Sequence, residues 1–181
     1  MQYSYEGFSH SKEQLKLLVK QRIDLDDVRN GMNKIVSRNK KTSNFEKLIE
    51  TVFRSKIHEL YWIAFTGGNV SVLKEWVMHC GVFDEGFGKN WGYEDIELGY
   101  RIWKEDKEFD YCEDAANYHV DHYRFHFEED NHTTSTYFYD KHKDENIKVF
   151  IGFSSGNYGI NDTIMNLKAM QSQLTRVRRT N

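Results

Sequence analysis

The chain has 181 residues, of which 39% are hydrophobic and 15% aromatic, and its formal net charge at pH 7 is −3. That length fits one domain, and so many aromatic residues argue against a disordered chain. The acidic balance argues against nucleic-acid binding, and no apolar run approaches the roughly 18 residues of a membrane span. The N-terminus has no apolar signal region, and two cysteines are too few for a disulfide framework. These features predict a cytoplasmic protein, with or without a peripheral membrane contact.

The first 59 residues are predicted to form a helical region. Apolar residues recur at helical spacing in three stretches, which are 11–19, 26–37 and 45–53. None of them carries an evident catalytic pattern, so we expect this region to serve as scaffold.

Residues 60–127 change in character and are predicted to form the core that holds the site. A short apolar run over 60–65 predicts a buried strand, and 71–80 predicts a helix that Gly81 ends. A glycine-rich loop covers 83–92 and leads into a helix over 93–104. Two further short strands are predicted over 109–111 and 115–119.

Residues 128–181 are predicted to extend the same structural domain. A helix is expected over 131–142, a strand over 147–153 and a terminal helix over 162–177, where Asp162 is the candidate cap.

Two acidic residues, Glu94 and Asp95, lie where the glycine-rich loop meets the helix that follows. A carboxylate there is stabilised by the helix dipole and can accept a proton from a sugar hydroxyl. Gly92 allows a ligand to approach the backbone, and Trp91 offers a flat apolar face to a sugar ring. The alternative is that both acids only cap the helix.

His119 and His122 lie three residues apart after a predicted strand. Imidazole is a frequent metal ligand, so either histidine is a candidate for a divalent cation. Both are also compatible with a structural role, and a metal-binding or scaffold domain is a further function that this segment alone would allow.

Four blocks in order carry a resemblance to a known family. They are GGN-S at 67–71, G-FDE-F at 81–87, WGYEDIELGYR at 91–101 and YH--H at 118–122. Together they resemble the C-terminal half of GT-A-fold glycosyltransferases, most nearly bacterial family-2 enzymes and the galactosyltransferase C-terminal domain shared by β-1,4-galactosyltransferases and chondroitin polymerases. The resemblance implies an α/β, partial GT-A-like (Rossmann-like) fold, with helices on a mixed sheet and the N-terminal nucleotide-binding half largely missing.

The resemblance also implies roles for individual residues. Asp95 would be the catalytic base of an inverting sugar transfer, and Glu94 would bind acceptor hydroxyls. The other implied sugar-site residues are Trp91, Gly92, Tyr93, Gly67, Gly68 and Asn69. His119 or His122 would complete a site for Mn²⁺ or Mg²⁺, and Arg101 would be structural. The implied partners are a nucleotide sugar, with a UDP-sugar favoured, and a carbohydrate or glycosylated acceptor.

The chain departs from that family before residue 65, where no donor-binding motif is recognised. Asp24-Leu25-Asp26 matches the letters of an Asp-x-Asp metal motif, but no buried strand precedes it. Three explanations stay open: a fragment of a longer enzyme, a chain whose partner supplies the donor site, or a non-catalytic remnant that binds a sugar or a protein. Each predicts an incomplete sheet, whose exposed edge would favour a homodimer or a partner chain.

Overall fold

The computed structural model describes Asp26, Arg29, residues 43–115, Asn117 and residues 126–180. Asp26 and Arg29 are helical, and the rest of the described backbone holds six α-helices and two 3₁₀ helices. These are α1 (Asn44–Arg54), the first 3₁₀ helix (His58–Ala64), α2 (Lys74–His79), the second 3₁₀ helix (Glu85–Phe87), α3 (Glu94–Lys104), α4 (Phe127–His142), α5 (Glu145–Ser154) and α6 (Ile160–Thr180). None of these helices is long and apolar enough to cross a membrane.

The predicted α/β fold is wrong for the described part of the chain, because no strand or sheet occurs there. Residues 60–65, predicted as a buried strand, lie mostly in the first 3₁₀ helix, where Trp62 donates its indole N–H to the Glu59 carbonyl at 2.7 Å. Six apolar residues fit a buried helical turn as well as a buried strand, so hydrophobicity alone could not decide. Without a sheet among the described residues, the sheet-edge argument for a homodimer also falls.

The strand predicted over 147–153 is likewise wrong, since α5 occupies it. Asp144 caps this helix by accepting from the Asn146 N–H at 2.9 Å. Ile147, Phe150 and Phe153 recur every third residue and are all buried. Tertiary packing of that stripe outweighs the strand preference of the β-branched and aromatic residues. Residues 109–111 form no regular element.

The helices predicted over 45–53, 93–104, 131–142 and 162–177 are confirmed. α1, α3, α4 and α6 cover the four predicted stretches with shifts of a few residues at their ends. Ser43 caps α1 in a capping box with Glu46, with bonds of 2.8 and 3.1 Å. α2 begins at Lys74, three residues after the predicted start. The helix predicted over 11–19 and most of the one over 26–37 lie outside the described residues, as does most of the strand over 115–119.

The core is aromatic and centres on Trp62, which is fully buried. Its ring meets Tyr100, Phe138 and Phe150 edge to face, with ring centroids 5.4, 5.7 and 5.3 Å away. Edge-to-face pairs add to the free energy gained by burial. The first 3₁₀ helix, α3, α4 and α5 therefore pack around one centre, which fixes the start of α3 against its neighbours.

Candidate functional site

The start of α3 is shaped by two residues with left-handed backbone. Gly92 has φ +105° and Tyr93 has φ +67°, and the helix begins at Glu94. From α4, the Thr134 hydroxyl donates to the Trp91 carbonyl at 3.2 Å. Only glycine adopts a φ such as that of Gly92 at little cost, so this turn depends on its sequence. Glu94 and Asp95 form the first turn of α3 and are both partly buried.

Asp95 contacts the loop that holds the GGN block. Its Oδ2 accepts from the Gly67 N–H at 2.6 Å, and its Oδ1 accepts from the Ile96 N–H at 2.7 Å. A Cβ at position 67 would lie 3.4 Å from Oδ2, so a small residue suits this approach. A carboxylate has about four lone-pair sites, and these two bonds leave others for a ligand hydroxyl.

Glu94 is half-buried, and its Oε2 accepts from the Gly92 N–H at 3.1 Å. Burial raises the pKa of Glu94, and the neighbouring Asp95 carboxylate raises it further. Among the described residues, no Lys, Arg or His forms an ion pair with Glu94 or Asp95. The raised pKa of Glu94 suits a group that accepts a proton near neutral pH.

The GGN loop also contacts the segment that precedes the two candidate metal histidines. The Asn69 amide donates to the Ala115 carbonyl at 2.6 Å, and the Asn117 amide donates to the Gly68 carbonyl. Gly68 itself is exposed and has open space around its Cα. The structure therefore brings the predicted loop residues together with Asp95.

The predicted metal site remains a prediction, because His119 and His122 lie outside the described residues. Within the part that is described, no group of three or more His, Cys, Asp or Glu side chains is arranged to hold a metal ion.

The two aromatic residues predicted to line the sugar site differ in placement. Trp91 is partly exposed and packs on Phe127, with ring centroids 5.0 Å apart. Tyr93 is only 5% exposed, and its hydroxyl is hydrogen bonded to Ser154. Burial raises the pKa of this phenol. Trp91 thus lies at the rim beside the two acids, whereas the ring of Tyr93 belongs to the core.

One buried acid of α3, Glu97, was not singled out from the sequence. Glu97 is fully buried in α3 and accepts from Arg101, Lys141 and His142 at 2.7–3.0 Å. The spacing of Glu97 and Arg101 is that of a helical ion pair, which was a readable signal. Nothing in the sequence pointed to Lys141 and His142, which lie more than 40 residues away. Arg101 has the structural role that was expected of it.

A broad open cavity of about 1080 Å³ lies toward the other end of α3 and contains none of the predicted site residues. Its walls include Tyr100, Lys104, His142 and Asp144, and the Tyr100 hydroxyl donates to Asp144 at 2.8 Å. Its lining contains both basic and acidic side chains, so its charge favours no one ligand class. The candidate site therefore rests on the contacts around Asp95 and not on cavity size.

Parts of three curated enzymes are similar to this chain. A chondroitin synthase from Escherichia coli is 47% identical over 55 residues, which is 30% of this chain and 8% of that enzyme. A hyaluronan synthase from Pasteurella multocida is 40% identical over 55 residues, or 30% of this chain and 6% of the enzyme. A chondroitin synthase from Pasteurella multocida (strain Pm70) is 38% identical over 80 residues, or 44% of this chain and 7% of the enzyme.

The chain is similar to glycosyltransferases. This similarity supports the coarse prediction of a sugar-transferring enzyme. It spans less than a tenth of each relative, so the donor, acceptor and mechanism stay outside what it supports. No protein-family profile and no solved structure matches the chain.

Proposed function

We propose that this chain carries the acceptor-binding and catalytic-base part of a glycosyltransferase. The observation that carries the proposal is the contact between Asp95 and the Gly67 loop, at a helix start beside a partly exposed tryptophan. The relatives are a hyaluronan synthase and two chondroitin synthases, so we propose a glycosaminoglycan-like oligosaccharide as the acceptor.

Asp95 is the proposed base. Its carboxylate takes the proton of an acceptor hydroxyl, and the oxygen then attacks the anomeric carbon of a nucleotide sugar. The bond from that carbon to the diphosphate breaks, the nucleoside diphosphate leaves with the electron pair, and the configuration inverts. Glu94 binds a neighbouring acceptor hydroxyl, and its raised pKa makes it the second residue to test as base.

The remaining predicted residues would contact the acceptor or form the walls of the site. Trp91 provides an apolar face for the acceptor ring, and Gly92 lets the ring approach the backbone. Gly67, Gly68 and Asn69 form the floor of the site, and Tyr93 supports it from the core. A divalent cation, Mn²⁺ or Mg²⁺, would supply Lewis-acid chemistry at the leaving diphosphate, through His119 or His122.

The donor site is proposed to lie in sequence or in a partner chain beyond the described residues. The chain matches only 6–8% of the length of its relatives, and the described helices hold no recognised nucleotide-binding unit. A UDP-sugar is the donor that we would test first.

A transfer assay tests the proposal. The chain is incubated with radiolabelled UDP-sugars, Mn²⁺ and chondroitin or hyaluronan oligosaccharides, and the labelled product is counted. Asp95→Asn should lower transfer by about 10²–10⁴-fold, because the amide cannot accept the proton. Asp110→Asn is the matched control, since exposed Asp110 also accepts from the following amide, at 2.8 Å.

Each outcome of this assay decides between specific assignments. Full activity in Asp95→Asn with loss in Glu94→Gln would move the base to Glu94. Oligosaccharide binding without transfer, under every donor condition, would favour the second candidate, a non-catalytic sugar-binding remnant. The short match to the relatives is the observation that keeps that candidate in view.

A further inference from the structure

Behind the site lies a buried ionic network centred on Glu97. This carboxylate has no exposed surface, and two cations and a histidine ring nitrogen reach it. Arg101 donates from Nε and from a terminal nitrogen, at 2.9–3.0 Å, Lys141 Nζ lies 2.8 Å from Oε1 and His142 Nε2 lies 2.7 Å from the same oxygen. A carboxylate buried so completely is tolerated only when its lone pairs are satisfied in this way.

The same cations hold the loop that precedes α3. Arg101 donates to the carbonyls of Cys80 and Val82. Lys141 Nζ also lies 2.6 Å from Asp84 Oδ2, so this one ammonium joins the loop acid to Glu97. The Tyr137 hydroxyl donates to Asp84 at 2.9 Å. The loop is therefore attached to both α3 and α4.

α4 contacts residues that come before Asp95 in the chain and residues that come after it. Thr134 holds the Trp91 carbonyl just before Asp95, and Lys141 holds Glu97 just after it. Between these two contacts, Phe138 of α4 packs on the Tyr93 ring with centroids 6.1 Å apart. Side chains spaced this way lie on one face of α4. One helix face thus supports the whole turn that presents Asp95.

We propose that Glu97 and Lys141 are positioning residues, which fix Asp95 against the Gly67 loop by tying the start of α3 to α4 and to the 80–86 loop. Neither residue touches the sugar in this arrangement. The inference rests on the proposed function only in naming Asp95 as the base; the geometric claim concerns the Asp95–Gly67 contact itself.

The test uses that contact as its reporter. The Gly67 N–H donates to Asp95 Oδ2, so its amide chemical shift and its hydrogen-exchange rate report where Asp95 lies. Lys141→Gln removes the shared ammonium from a side chain that is 29% exposed, which the fold should tolerate better than a change at buried Glu97. We expect the Gly67 amide to shift and to exchange about tenfold faster, while amides of α5 and α6 stay unchanged.

Two matched variants isolate the cause. Lys148→Gln makes the same substitution in an exposed pair with Glu145 and should leave the Gly67 amide unchanged. Lys141→Arg should restore the wild-type signal, because a guanidinium can also donate to two carboxylates.

Two results would overturn the proposal. One is an unchanged Gly67 amide in a folded Lys141→Gln chain that has only lost stability, since Lys141 would then be structural alone. The other is a shift that Lys141→Arg fails to restore. The transfer assay with Asp95→Asn fails separately if the proposed function is wrong, because the amide reporter needs no activity.

Discussion

The first turn of α3 carries acids in two opposite environments. Glu94 and Asp95 accept hydrogen bonds from backbone N–H groups, and no described cation pairs with them. Glu97 is fully buried beside His142 and two cations, Arg101 and Lys141, and it shares Lys141 with Asp84. Burial by itself would raise the pKa of Glu97, but the bonds from His142, Arg101 and Lys141 lower it to about 2.

Neighbouring acids of α3 therefore differ in whether their carboxylates are paired with cations. A carboxylate neutralised by cations holds a fold together but is a poor base, because its proton affinity is low. Glu94, whose pKa is raised, and Asp95, which has no described cation partner, both keep lone pairs free for a ligand hydroxyl. Glu97 and Asp84 therefore support the fold through their ion pairs, whereas the reactive role of Glu94 and Asp95 is our proposal.

The largest expected effect is on stability when Glu97 is changed. Glu97→Gln removes the charge that compensates Arg101 and Lys141, and breaking such a buried network costs about 3–5 kcal/mol. Urea unfolding followed by circular dichroism measures this change in free energy. Asp95→Asn should lower it by about 1 kcal/mol or less, since only backbone bonds are weakened. Equal losses for the two variants would contradict the comparison.

Acid should unfold the chain through the same supporting acids. The pKa of Asp84 is also lowered to about 2, chiefly by hydrogen bonds from Lys141 and the Gly86 N–H. A carboxyl whose pKa is lower in the folded than in the unfolded state stabilises the fold above its unfolded pKa, and that stability is lost as the pH falls through the folded value. Glu97 goes from 4.5 to about 2, which corresponds to about 3 kcal/mol lost between pH 5 and 2.

Unfolding free energies measured across that pH range check this expectation. Glu97→Gln should have a visibly shallower pH dependence than the wild-type chain, because one of the two titrating groups is gone. An identical slope would mean that other carboxyls dominate acid unfolding.

The smallest effect is expected at Glu94, and its sign is opposite. Because the pKa of Glu94 is raised in the folded state, its ionisation costs stability as the pH rises above its unfolded value of 4.5. Glu94→Gln should therefore leave stability at pH 7 unchanged or raise it by about 0.5 kcal/mol, while the amide oxygen still accepts from the Gly92 N–H. Thermal unfolding compares this variant with Glu97→Gln, and a clear loss of stability would place Glu94 among the supporting acids.

The sequence predicted several helices but not the absence of strands from the described residues. The structure places Gly67 in contact with Asp95, two residues that motifs had singled out, and their role in a functional site stays a prediction. The strands at 60–65 and 147–153 were predicted from short apolar runs, and such runs do not distinguish strands from buried helices. α3 was readable because its apolar spacing runs for three turns.

The ion pairs and hydrogen bonds around Glu97 could not be predicted from the sequence, for a different reason. Lys141 and His142 have a role in the network only because they contact Glu97, which lies 44 and 45 residues away in sequence. No local spacing encodes such a contact, whereas the Glu97–Arg101 pair could be read from its four-residue separation.

The most direct test of an acceptor site at the start of α3 is to record amide NMR spectra of the chain during titration with a chondroitin oligosaccharide. If the acceptor binds at the start of α3, the perturbed amides will cluster at Gly67, Gly68, Asn69, Trp91 and Gly92. Trp91→Ala should abolish these chemical-shift changes. Perturbation confined to the cavity around Tyr100 and Lys104, or no perturbation of a folded sample, would contradict an acceptor site at the start of α3.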